Sequence, residues 1–447
     1  MEKKDLTQGS IYKKLILFFL PLAAGNVFQQ IYYAVDALIV GRYAGTIALA
    51  AVGGTAGSFS YAAVNFFIAM CGGGSVLISQ FFGARNHESL KNGVHSSMWF
   101  SVILGVVVSA GLCMMTRCIL LWTKVPSDSF EMAFEYLRII FLGMVFIIVY
   151  NMAAGILRAV GDSRTPFIIV AVSCVINIVS DYVFVAVLGR GVVGAAVATV
   201  LSQLVCAVVC VIRLMRIKDD DCVLRLSELK PDFDYLKRSL MIGVPLALQS
   251  LMYSVTNIRS QVCINILGTK TVAAWGLTGR IDGFFWGLMA AANICVTTFI
   301  GQNYGKRDFA RMKAGVKASF VIFEIVAVSF SVTLMLTARS ILPWFDKDPE
   351  VIESTMLVFK ALVPFYFIWV VNEVFSGALR GEGKTFGPFL VLMFSVCIYR
   401  LIWMSTVFAA RPNLLWLCLC YPTSWVIAGS GMFVLYMINI RKRRNSA

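Results

Sequence analysis

The chain has 447 residues, of which 59% are hydrophobic and 14% charged, with 39 Lys and Arg against 24 Asp and Glu. Soluble domains carry about 25% charged residues, so a mean hydropathy of +0.80 makes the bilayer the natural solvent and excludes a large soluble domain. The net charge of +15 falls in short runs between apolar segments, as membrane topology requires, and not on the basic face of a soluble fold that nucleic acid would need.

A spanning helix needs about 20 apolar residues. Segments of that kind are expected at roughly 12–40, 48–82, 93–115, 131–158, 166–188 and 192–214, and again at roughly 237–266, 272–303, 314–337, 351–380, 386–408 and 414–439. The first follows Lys13 and Lys14 and stays apolar from Leu15 to Val40. That is far longer than the 7–15-residue core of a signal peptide, so it reads as an uncleaved helix. The expected organisation is an N-lobe at 1–214, a cytoplasmic linker at 215–236 and a C-lobe at 237–447. The linker holds Asp219-Asp220-Asp221, read as a solvated loop. Lys3, Lys4, Arg85, Arg164, Lys306, Arg307 and the tail Arg441-Lys442-Arg443-Arg444 fall on one side of this topology. Arg42, Lys124 and Lys270 are among the few on the other. The bias places both termini in the cytoplasm of a cell whose inner or plasma membrane holds the chain. The 12 Cys residues lie mostly within apolar segments and read as small fillers, and two His residues assemble no zinc site.

The halves repeat. Gly45–Gly53 matches Gly268–Gly276, Ser79–Arg85 matches Gly301–Arg307, Gly155-Ile-Leu-Arg158 matches Gly377-Ala-Leu-Arg380, and Pro166 matches Pro388, always at an offset of 222 or 223 residues. Each half has an even number of spans, so the repeat is parallel, about an axis along the membrane normal. Transporters built this way hold substrate between halves and alternate access by rocking them.

Ionisable groups inside spans are functional candidates by default. Asp36 lies five residues before Gly41, about 8 Å from the outer end of its span. Asp181 lies about 10 Å and Thr199 about 12 Å from theirs. Asn177 shares a helix face with Asp181. Two close carboxylates in a low dielectric cannot both ionise cheaply. With the amide and hydroxyl they can hold one proton or one Na⁺, which makes them a candidate coupling-cation site. The alternative is that each Asp bonds a neighbouring helix separately. Asn151, nearer the inner end of its span, is added to this set.

In the second half the same register puts Arg259 opposite Asp36, or Ser260 if the Pro21/Pro245 match is followed. Asp282 lies at a similar depth, so an Arg259–Asp282 ion pair is expected. Glu324 is a further buried-acid candidate. Glu373, beside Asn372, could attract a cationic substrate or pair with Arg280, Lys360 or Arg400. Aromatic and Met side chains suit flat organic cations but more often pack against helices or lipid. The candidate substrate cavity comprises Gln30, Tyr33, Tyr253, Arg259, Asp282, Trp286, Met289, Asn372 and Glu373.

The segment Gln30-Ile-Tyr-Tyr-Ala-Val-Asp36-Ala-Leu-Ile-Val-Gly41 with Ala48-Leu-Ala-Ala-Val-Gly53 resembles the first helix and following turn of the MATE family, the multidrug and toxic compound extrusion transporters. Gly155-Ile-Leu-Arg158-Ala-Val-Gly-Asp162, Gly377-Ala-Leu-Arg380-Gly, Asn177-x-x-x-Asp181 and Gly191-x-x-Gly194-Ala-Ala-x-Ala-Thr199 resemble further parts of it. The resemblance implies an all-α polytopic membrane protein, twelve transmembrane helices in two six-helix bundles facing in a V. It implies efflux of organic cations and drugs in exchange for Na⁺ or H⁺, with the cation held by Asp36, Asn177 and Asp181 and with Thr199 matching a family hydroxyl. No cofactor is implied beyond that ion. The expected partners are small cationic organic substrates and membrane lipids, for a monomer. One branch of the family also places acids in the seventh and tenth helices. Here the seventh offers Gln249, Tyr253, Asn257 and Arg259 and no acid, and Glu373 is at most a partial substitute. A lipid-linked saccharide flippase of the same superfamily would show more helices or a strongly basic cavity. A membrane-embedded enzyme would need a nucleophile, a metal or an acid pair near an interface, and a passive channel would need more polar lining.

Overall fold

The computed structural model describes residues 5–123, 125–217 and 222–446. Lys3, Lys4, Lys124 and the Asp219-Asp220-Asp221 run lie outside the described residues. Among the described residues eleven helices are long and apolar enough to cross a bilayer, and a bent pair, taken as one span, completes twelve. In the first half they are α1 (Ile11–Tyr43), α2 (Gly57–Ala84), α3 (His87–Trp122), α4 (Phe130–Leu142 with Met144–Ala159), α5 (Arg164–Val187) and α6 (Gly191–Met215). The second half holds α7 (Phe233–Ile266), α8 (Thr269–Gly305), α9 (Phe309–Trp344), α10 (Pro349–Gly381), α11 (Phe386–Phe408) and α12 (Leu414–Arg443). No β-strand occurs among the described residues. Lipid offers the backbone no hydrogen bonds, so helices that satisfy their own are the expected solution.

Two departures from the expected spans have local causes. The second expected segment is split into a short helix, Thr46–Gly53, and α2. The break falls at Gly53-Gly54, where the backbone is freest. The fourth bends by 41° at Gly143. A Cβ at Gly143 would sit 2.5 Å from a methyl of Val200 on α6, so only glycine lets the bend approach that helix.

The repeat is visible in the backbone. Gly45 and Gly268 have φ of 90° and 99°, and Gly161 and Gly383 have 89° and 80°. Arg85 and Arg307, at φ 53° and 61°, are the two non-glycine residues in the left-handed region among the described residues. Arg85 caps α2, its N–H turned back to the Phe81 and Phe82 carbonyls. Segments with π-type hydrogen bonding also recur: Tyr182–Val187 in α5, and Met393–Ile398 and Met404–Phe408 in α11.

The chain forms two compact units that do not follow the sequence halves to the residue. One holds Leu20–Ala247 with Gly305–Arg307, the other Leu6–Phe19, Leu248–Tyr304 and the chain from Asp308 onward. The changes of unit within α1 and α7 fall beside Pro21 and Pro245, each of which removes a helix hydrogen bond. In the second unit the Leu6 N–H donates to Gln302 Oε1 at 3.0 Å, Arg311 donates to the Leu6 carbonyl at 3.1 Å, and Phe19 packs on Phe323. In the first, Tyr235 and Ser97 share a 2.6 Å hydroxyl contact, and Ser96 accepts the Asp232 N–H at 2.9 Å, which docks the chain after the linker on α3. The first unit's core centres on Leu120, Leu137, Phe141, Met144 and Ile148, and the second's largest buried side chains are Trp425, Tyr366, Phe285, Phe299, Phe323 and Phe359.

Candidate functional site

In the first unit α1 and α5 bring Asp36 and Asp181 together. Their carboxyl groups come within hydrogen-bonding reach of each other. An ionised carboxylate accepts and cannot donate, so two of them side by side satisfy neither. Asp36 Oδ1 and both oxygens of Asp181 are buried without a donor, and Asn177 Oδ1 and Nδ2 are buried without partners. Asp181 and Asn177 are 0% and 1% exposed. Buried polar atoms are nearly always paired, and five orphaned atoms on three neighbouring side chains of a matched acid–acid–amide set call for a shared ligand. The oxygens suit a hard cation or a proton.

Two tyrosines that the sequence reading passed over complete the surroundings. Tyr32, buried on α1, lies beside the Thr199 side chain of α6. Tyr136 of α4 lies within electrostatic range of both Asp36 and Asp181. The signal was present, because a phenol inside a span needs a polar partner, and few polar atoms lie at that depth. Tyr33 also lies within electrostatic range of Asp36, although its side chain is largely exposed, and Gln30 sits half-buried on the same helix. Asn151 instead donates to the Ile147 carbonyl of its own helix at 2.8 Å.

The second unit differs from expectation. The Arg259–Asp282 ion pair does not form. Arg259 is exposed, and buried Asp282 accepts a 2.5 Å hydrogen bond from the Tyr366 hydroxyl. A neutral phenol takes the place of the guanidinium because Tyr366 is stacked on Phe285, 4.0 Å between ring centres and one turn along α8 from Asp282, which holds its hydroxyl at that carboxyl. Glu373 pairs with none of Arg280, Lys360 or Arg400. Its Oε1 accepts from Trp369 Nε1 at 2.8 Å, and it lies beside Arg380. Arg380 donates to Asn293 Oδ1 at 3.0 Å and to Gln249 Oε1 at 2.9 Å, and Gln249 reaches Tyr253. Asn372 is buried with its Oδ1 unpaired. Trp286 packs edge-on against Trp369 and Trp425, at 5.5 and 6.0 Å, and Met289 is 1% exposed. Glu324 is half-buried on α9.

The MatE family model matches residues 21–183 and again 245–404. The probable multidrug resistance protein YoeA of Bacillus subtilis is 28% identical over 400 residues, covering 87% of this chain and 85% of that protein. The probable multidrug resistance protein NorM of Thermotoga maritima is 25% identical over 397 residues, covering 88% and 84%. A crystal structure of a MATE in the straight conformation superposes with a TM-score of 0.91 at 22% identity over 98% of both chains. Likeness at that identity speaks for the fold, and the twofold family match speaks for descent. The chain belongs to the MATE family and is an integral membrane transporter, not an enzyme.

Proposed function

We propose that this protein is a secondary antiporter that exports small organic cations, drugs among them, in exchange for Na⁺ or H⁺ by alternating access. The observation that carries the reading is the cluster of buried, unpaired oxygens on Asp36, Asn177 and Asp181. Two unit charges 4 Å apart at an effective dielectric of about 20 repel by on the order of 4 kcal/mol. A proton converts the repulsion to a hydrogen bond, and a sodium ion takes the orphaned oxygens as ligands. Either way α1 is drawn to α5 only in the loaded state. Pro21 breaks the hydrogen-bond ladder of α1 and gives it a place to bend when the carboxyls are bridged. The multidrug descriptions of YoeA and NorM support a drug-like cargo. The Lys and Arg bias supports cytoplasmic termini.

The test is efflux of ethidium from proteoliposomes under a sodium gradient and a proton gradient, applied separately. Wild type should respond to one of them, and Asp36→Asn should lose about tenfold or more of the driven rate. Full gradient-driven transport by the mutant would remove the coupling role.

A further inference from the structure

The repeat places different chemistry at matched positions. Pro21 against Pro245 sets Asp36 over Ser260. An offset of 223 sets Asn177 over Arg400 and Asp181 over Met404, and an offset of 222 sets Thr199 over Tyr421 and Ser202 over Ser424. These second-half residues do gather within the second unit. Tyr421 donates to Ser260 Oγ at 3.1 Å, and Ser260 Oγ lies 3.9 Å from Met404 Sδ. Arg400 Nε donates to Ser424 Oγ at 2.9 Å, and its guanidinium carbon stands 4.2 Å from the centre of the Tyr421 ring. Where one unit has two carboxylates, the other has a hydroxyl and a thioether beside a permanent cation.

Arg400 is only 5% exposed. Among the described residues no carboxylate lies within ion-pair distance of it, and Ser424 is its one hydrogen-bond acceptor. The acids of the neighbourhood are engaged elsewhere, Asp282 by Tyr366 and Glu373 by Trp369. A guanidinium has five N–H donors, and Lys and Arg are almost never buried unpaired. Arg380, in the same unit, shows the structural solution, with Asn293 and Gln249 on its Nη groups and Glu373 alongside. Arg400 lacks such partners on its Nη groups. The Tyr421 ring lowers the cost of burial but accepts no planar pair of hydrogen bonds.

A small, mostly apolar pocket lies one turn away along α11. Met252 and Tyr253 of α7 and Phe389 and Val396 of α11 line it, with one amide, Gln249. Tyr253 also lies within electrostatic range of Arg400. Val396 precedes Arg400 by one turn, about 6 Å along the axis. The π segment Met393–Ile398 lines part of the pocket and ends two residues before the cation, and such segments often mark functional sites.

We propose that Arg400 receives the oxyanion of an amphipathic organic acid or zwitterion, with the apolar body of that ligand directed toward the α7–α11 pocket. Arg presents a planar fork that matches a carboxylate. The proposal rests on the reading of this chain as a small-molecule exporter and goes beyond organic cations, adding a substrate class that carries an anionic group. It is independent of which ion drives transport.

The test is equilibrium binding to the detergent-solubilised full chain, read by calorimetry, with 1-naphthoate, its methyl ester and 1-naphthylmethylammonium. Wild type should bind the acid about tenfold or more tightly than the ester. Arg400→Gln should abolish that preference and leave ester binding within about twofold. Arg400→Lys should keep part of it, because the charge remains without the fork. Absence of acid preference in wild type, or its survival in Arg400→Gln, overturns the proposal. If Arg400→Gln loses ester binding too, wild type and Arg400→Lys decide: loss of acid preference in the lysine variant overturns it, and retention supports it. Asp36→Asn should leave the acid preference intact, so a failed coupling site and a failed anion site give different results.

Discussion

The two units share a backbone frame and oppose each other in charge. At matched register the first sets Asp36 against Asp181, and the second sets Ser260 against Met404 with Arg400 beside them. The left-handed positions recur pairwise, Gly45 with Gly268 and Arg85 with Arg307. The π segments recur as well, Tyr182–Val187 directly after Asp181 and Met404–Phe408 at the matching place in α11. On the proposed reading, a duplicated frame carries an exchangeable cation site in one copy and a tethered cation in the other, so that the ion cycle belongs to the first unit and the second meets a different ligand group.

The largest effect should come from the acids. Asp181→Asn keeps the size of the side chain but removes the charge that a coupling ion neutralises. Ion-driven efflux in proteoliposomes should fall about tenfold or more, while ligand binding to the solubilised protein persists. Unchanged driven efflux would break the contrast between the units. A charge transplant sharpens it from the other side. Met404→Asp puts a carboxylate into the Ser260–Met404 contact, beside Arg400. It should pair with the guanidinium and lower naphthoate binding about tenfold while sparing the ester. Persistent acid preference would show that Arg400 faces away from that position.

Packing offers a smaller test at one matched pair. Gly93 and Gly315 correspond across the repeat. A Cβ at Gly315 would fall 2.1 Å from Phe299 Cε1, whereas one at Gly93 would fall 3.1 Å from Tyr235 Cε2. Gly315→Ala should cost about 1–3 kcal/mol through overpacking. Gly93→Ala should stay within about 1 kcal/mol of wild type, because the gain in helix propensity offsets the tighter contact. Thermal unfolding in detergent ranks the two, and equal losses would deny the difference in packing.

The smallest effect concerns the linker of the first unit. Lys91, at 2.6 Å, and Arg225, at 3.1 Å, hold the Glu228 carboxyl down to about 2. Its unfolded value is about 4.3. A folded value below the unfolded one adds stability above that pH and loses it as pH falls towards 2. The Glu228 side chain is 33% exposed, so the contribution is slight and screened by salt. The melting temperature of Glu228→Gln should lie slightly below wild type at pH 7, with the gap closing between pH 5 and pH 2. A gap that widened on acidification would contradict the assignment.

Much of the fold was legible in the chain. Apolar runs of spanning length, broken by Lys and Arg, specify helices and their number because lipid punishes any unsatisfied backbone. The repeat was legible because turns and caps need particular residues, as at Gly45 and Gly268. Asp36, Asn177 and Asp181 could be nominated from depth and spacing, since both follow from helix rise alone. Tyr136 could not be ranked above the other aromatic residues of its span. The Arg259–Asp282 pair was expected from depth alone, and depth says nothing of rotation about the helix axis. Arg259 turns outward and Asp282 inward to Tyr366.

By itself, then, the sequence determined the membrane class, the twelve spans, the duplication and the buried acids, all of which rest on properties local to a segment or on its periodicity. Tertiary structure decided where α1 and α7 change unit, which side chain answers Asp282, and that Arg400 is buried without an acid. Those outcomes depend on how helices far apart in sequence are rotated and packed against one another. A hydrogen-bond partner is selected by a few ångströms of side-chain reach, which no count along the chain contains.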